Sequence, residues 1–129
     1  MLRSPKFPQT GGPDHDWIEL RLGDAILLHA EAMNENGNTT GALVELNKIR
    51  TRAGLANSTA SSQADVRQAI QDERRLELAF EGQRWFDLVR TNTVNAEMGQ
   101  TIDSKFYVSP IPVSEVLSSF GVITQNAGY

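Results

Sequence analysis

Between Glu73 and Arg90 the sequence reads ERRLELAFEGQRWFDLVR, with four arginines and four acidic residues threaded among leucine and aromatic side chains. At about 100° per residue, Val66, Ala69, Ile70, Glu73, Glu77 and Phe80 share one stripe of a helix. Glu73 and Glu77 therefore stand at the centre of an apolar face, with Arg74 on its border and Arg75 turned away. A carboxylate left alone there would cost about 3–5 kcal/mol relative to its paired state. Arg84 and Arg90 are the natural partners, because a guanidinium offers a planar fork and keeps its charge. Trp85, Phe86 and Leu88 are expected to wall the pairs off from water. Glu73, Arg74, Glu77, Glu81, Arg84, Asp87 and Arg90 thus make up a predicted structural ionic network.

The competing reading is a catalytic pair of carboxylates. Residues at i and i+4 of one helix have Cβ atoms about 5–6 Å apart, close to the carboxyl separation of retaining glycosidases. Those enzymes place the two groups on opposite sides of the scissile bond, whereas neighbours on one helix approach from the same side. A di-metal carboxylate bundle needs Glu-x-x-His motifs, and neither His15 nor His29 follows a glutamate at that spacing. The structural reading is therefore preferred, with no catalytic residue, no metal site and no cofactor implied.

Composition narrows the classes further. The 129 residues suffice for one core. A net charge of −4 without any basic tract argues against a nucleic-acid partner. With no cysteine, disulfides, thiolate metal sites and a cysteine nucleophile are excluded, and this sequence carries no residue for a thioether lipid anchor. No apolar run approaches the length of a membrane span, and MLRSPKFPQTGG does not have the form of a signal peptide.

Residues 1–16, rich in proline and glycine, read as an irregular lead-in. Asp16 with Glu19 has the form of a capping box. It opens a helix reaching Asn36, with Ile18, Leu22, Ile26 and Met33 on its apolar face and small residues at Ala25, Ala30 and Ala32. Gly37 is the expected stop. Thr40 is expected to cap a second helix carrying Leu43, Leu46 and Ile49 and ended by Gly54. The order Ile26, Ala30, Met33, Gly37, Ala42, Leu46 and Ile49 fits the tetratricopeptide pattern, so 17–54 is predicted to be one such helical pair. Ser62 with Asp65 makes a second capping box, opening a charged helix over 62–90 that Gly82 ends or kinks before a short helix from Arg84 to Arg90. Residues 91–129 read as an irregular tail. Lys105 to Val108 is a candidate strand, confined to an edge by Pro110 and Pro112, and Ser114 is expected to cap a last helical turn.

Other chemical candidates have bland explanations that fit better. Asp14-His15-Asp16 reads as a capped turn, since three consecutive residues do not readily converge on one metal ion. His29 is expected to be partly buried at the helix-pair interface. Trp17 and Trp85 could stack on sugars, although Trp85 lies within the charged segment and reads as core. Asn38-Thr39-Thr40 has the form of a glycosylation acceptor, but its place at a helix turn favours capping.

ERRLELAFEGQRWFDLVR closely resembles the signature of the SusD/RagB family of surface glycan-binding lipoproteins. RLGDAILLHAEAMNENG and ALVELNKIRTRAGL resemble that family's tetratricopeptide-like helix and its partner, and YVSPIPVSEV and QNAGY resemble its closing elements. These motifs stand in the family's order and span nearly all of 21–129. Ala127 departs from the pattern, standing where the family usually has proline.

The resemblance implies a mainly α fold of tetratricopeptide-like helical pairs, with an irregular C-terminal region and at most one short edge strand, over 17–129. Family members are several-fold longer and begin with a lipoprotein signal and a lipidated cysteine, so this chain looks like a C-terminal portion, excised or truncated. It further implies a non-enzymatic protein at the outer-membrane surface, delivering oligosaccharide or polysaccharide ligands to a TonB-dependent SusC-like transporter. The family's sugar contacts come mainly from regions preceding this segment, so the resemblance assigns no ligand-binding residue here. The alternative from a different class is a free-standing tetratricopeptide-like module that binds a partner peptide.

Overall fold

The computed structural model describes residues 18–129. The expected lead-in, the Asp14-His15-Asp16 turn, the Asp16–Glu19 capping box and Trp17 lie outside the described residues, the partner residue Glu19 aside. The described residues divide into two compact units, one ending at Arg84 and the other comprising Trp85–Tyr129. Among the described residues the regular structure is helical, without a strand.

In the first unit, helices α1 (Leu22–Glu35), α2 (Thr39–Arg52) and α3 (Gln63–Glu77) pack on one another, α1 touching both of the others. The core they enclose consists of Leu27 and Ala30 from α1, Ala42, Leu46 and Ile49 from α2, and Val66 and Ile70 from α3. Full burial of such an aliphatic side chain contributes about 1.5–3 kcal/mol. Ala30 and Ala42, both without exposed surface, lack bulk that would hold α1 and α2 apart. Ile26 and Met33 pack at the margin of this core.

The first helix starts later than its apolar pattern predicts. Residues 18–21 are not helical, and Arg21, in extended conformation, is the residue ahead of the first turn. The inward face of α1 runs through Gly23, Asp24, Leu27, Ala30 and Asn34. Ile18 and Leu22, expected on that face, are exposed, and so is His29. The polar Asp24 and Asn34 occupy the inward positions because each finds partners on or beside α3. Asn34 donates its amide to the Gln63 carbonyl at 2.9 Å and its own carbonyl accepts from the Gln63 side chain at 2.6 Å. The Asn34 Oδ1 atom, also buried, has no hydrogen-bond donor among the described residues.

Gly37 follows α1 at φ +82°, the left-handed conformation that makes glycine the stop there. The cap of α2 is Asn38 rather than Thr40: its side-chain oxygen accepts the Gly41 N–H at 3.0 Å. That contact accounts for the Asn-Thr-Thr sequence as a helix start. α2 ends at Arg52, just before Gly54 at φ +76°. α3 opens on the reciprocal Ser62–Asp65 capping box expected from the sequence. It ends at Glu77, short of Gly82, and the chain turns through Phe80 at φ +68° and Gly82 at φ +78°. Phe80 thereby leaves the apolar stripe and is 76% exposed. Such a conformation costs a non-glycine residue roughly 1–2 kcal/mol.

α4 (Arg84–Arg90) then forms over the residues expected of it. The second unit also holds α5 (Val94–Met98), ended by Gly99, and α6 (Val113–Ser118). The candidate strand at 105–108 is instead a 3-10 turn over Ser104–Tyr107. Asp103 starts it, its side chain accepting the Lys105 N–H and its carbonyl accepting the Phe106 N–H, both at 3.0 Å. Ser114 lies inside α6, whose preceding residue is Pro112.

The closing residues of this unit are strapped down by side chains. Gln125 donates to the Ile111 carbonyl and accepts its N–H, each at 2.8 Å. Asn126 donates to the Ser109 carbonyl at 2.7 Å, and the Tyr129 hydroxyl donates to the Val108 carbonyl at 3.2 Å. One amide thus serves both backbone groups of Ile111, which its proline neighbours leave outside any ladder. The unit buries Leu88 and Val94, while Val113, Leu117, Phe120 and Val122 stand exposed. Trp85 and Tyr107 meet edge to face, with ring centroids 6.2 Å apart.

Candidate functional site

Three carboxylates, Glu73, Glu77 and Glu81, lie on the last turns of α3 and the turn after it. All three are met by arginines from elsewhere in the first unit. Glu73, 4% exposed, accepts from Arg50 at 2.8 Å. Arg50 also donates to the Ala56 carbonyl at 2.9 Å, fixing the loop that leaves α2. Beside Glu73, the buried Arg74 donates to the Asp24 carboxylate of α1 at 2.8 Å. Enclosure of both partners makes this pair costly to break, because the survivor would keep its charge in a dry site.

Arg21 organises the far end. Its Nε and Nη2 atoms fork onto the Glu81 carboxylate at 2.7 and 3.0 Å. Its Nη1 reaches the Glu77 carboxylate, which Arg52 of α2 also meets. Its Nη2 further donates to the Glu77 backbone carbonyl at 2.6 Å. That carbonyl belongs to the last turn of α3, where helix carbonyls lack intrahelical donors and partial negative charge accumulates. Gly23 makes room for the arrangement: a Cβ there would stand 2.5 Å from Arg21 Nη1 and 3.0 Å from Glu77 Oε1.

The protonation equilibria follow from these contacts. The hydrogen bonds to Glu81 hold Arg21 above the ordinary arginine range, against the opposing effect of burial, with Glu77 adding to them. Burial pushes the Glu77 carboxyl up, but the hydrogen bonds and charges of Arg21 and Arg52 outweigh it and leave Glu77 below its ordinary value. On the surface, the Arg67 guanidinium draws the Glu35 carboxyl down.

The sequence expectation looked to Arg84 and Arg90; the arginines described above as meeting Glu73, Glu77 and Glu81 lie outside the charged stretch. Arg50 and Arg52 come from the last turn of α2, and Arg21 and Asp24 from the start of α1. No reading confined to one helix brings these residues to α3. The one available signal was that α2 ends in two closely spaced arginines, as the carboxylates of a neighbouring helix require. Arg90 pairs with Asp87 on its own helix, through Nε at 2.9 Å and Nη2 at 2.8 Å. Arg84 is half-buried at the first position of α4. Of the three expected screening residues, Leu88 is buried and Trp85 half-buried, while Phe86 is 67% exposed.

This chemistry joins helices. Carboxylates engaged by guanidinium groups are poor proton donors and poor nucleophiles near neutral pH. Among the described residues no group of three or more His, Cys, Asp or Glu side chains could hold a metal ion. No helix among them is long and apolar enough to cross a membrane.

The profile of the SusD family matches residues 2–129 of the sequence. SusD-like protein P2 of Formosa agariphila is 30% identical over 88% of the chain, and SusD-like protein P38 of the same organism is 40% identical over 67% of it. These alignments span 26% and 19% of the two relatives, so the chain covers about a quarter of their length or less. A SusD-like protein from Bacteroides fragilis superposes on 88% of the chain with a TM-score of 0.76 and 33% identity. A SusD superfamily protein from Parabacteroides distasonis superposes on 83% with a TM-score of 0.67 and 29% identity. The chain spans 26% of each of these solved structures.

Proposed function

The chain belongs to the SusD family, and from that premise we propose that it is the C-terminal helical part of a cell-surface glycan-binding protein. The parent protein is a lipoprotein of the outer membrane that hands oligosaccharides to a TonB-dependent SusC-like transporter and breaks no bond in them. The observation that carries this reading is the family match along nearly the whole sequence. The state of the acidic residues supports its non-catalytic half: Glu73, Glu77 and Glu81 are held by arginines rather than opposed across a cleft. The sugar site lies in the parent outside this segment, and the helices described here support it.

The test uses the full reading frame that contains this sequence. Its product, run through native gels containing defined polysaccharides, is expected to be retarded by at least one of them and to release no new reducing ends from any. Release of reducing ends would overturn the non-catalytic assignment, and free migration through every gel would overturn glycan binding. Purification of the tagged product from outer membranes is expected to bring down a TonB-dependent transporter. A reading frame confined to these residues, whose product instead captures a peptide partner, would favour a free-standing tetratricopeptide-like interaction module.

A further inference from the structure

We draw no further inference here: the strongest candidate, the apolar surface patch that the 85–129 unit leaves exposed at Val113, Leu117 and Phe120, is a face for which nothing in the structure shows what covers it.

Discussion

Asp24 and Arg74 bury opposite charges against each other, with side-chain exposures of 6% and 4%. Asp24→Ala would remove one buried partner of the Arg74 guanidinium, and a loss of about 1–3 kcal/mol in unfolding free energy is expected from urea titration. Asp24→Leu combined with Arg74→Met is expected to recover most of that loss, because apolar groups of similar size often replace a buried pair at little cost. An unchanged urea midpoint in Asp24→Ala would show that the pair contributes nothing. Glu77 makes a different prediction, in pH. Its folded pKa lies below the ordinary 4.5, so its stabilising contribution is complete above that value. The contribution drains away as pH falls through the folded pKa. Glu77→Gln removes the contribution at every pH, so its gap in urea midpoint from the parent sequence should narrow from about pH 6 to about pH 3. A gap that stays constant would mean that Glu77 does not titrate as its two arginines require.

At the scale of single elements, features decided by neighbouring residues were legible in the sequence. The Ser62–Asp65 box is local, with the Ser62 hydroxyl accepting the Asp65 N–H at 3.1 Å. Ser62→Ala is expected to destabilise the chain by about 1 kcal/mol, read as a lower midpoint in thermal unfolding. A midpoint equal to that of the parent would show the cap to be idle. Gly37 and Gly54 were legible for a similar reason, since each supplies a left-handed residue just past a helix. The element boundaries that were misread depend on competition. The Asp16–Glu19 pattern and the apolar spacing from Ile18 carried the first helix back to Asp16, but Arg21 sits in extended backbone and sends its side chain to the end of α3. Aromatic and β-branched content suggested a strand at 105–108, whereas the Asp103 cap closes a 3-10 turn there. Propensity is a weak prior, and a single capping side chain suffices to reverse it.

Across the whole molecule, the charged stretch revealed in sequence that partners must exist without revealing which ones. The burial of Glu73 followed from helical periodicity alone. Its partner Arg50 lies 23 residues away in sequence, and Arg21 lies 56 and 60 residues from Glu77 and Glu81. Helical spacing within one segment carries no information about such pairings, which depend on how the three helices stack. The Arg21 contacts also have a consequence for time rather than equilibrium. A clasp between residues so far apart in the chain is expected to form after the intervening helices have docked, because closing that loop earlier has an entropic cost that local contacts do not offset. Interactions absent from the folding transition state act on the unfolding rate. In stopped-flow measurements, Arg21→Met is therefore expected to speed unfolding by on the order of 10-fold while changing the folding rate by less than about 2-fold. Slower folding with unaltered unfolding would instead place the clasp in the nucleus. The arginine ahead of α1 is thus expected to govern how long the folded helices survive, with little influence on how quickly they assemble.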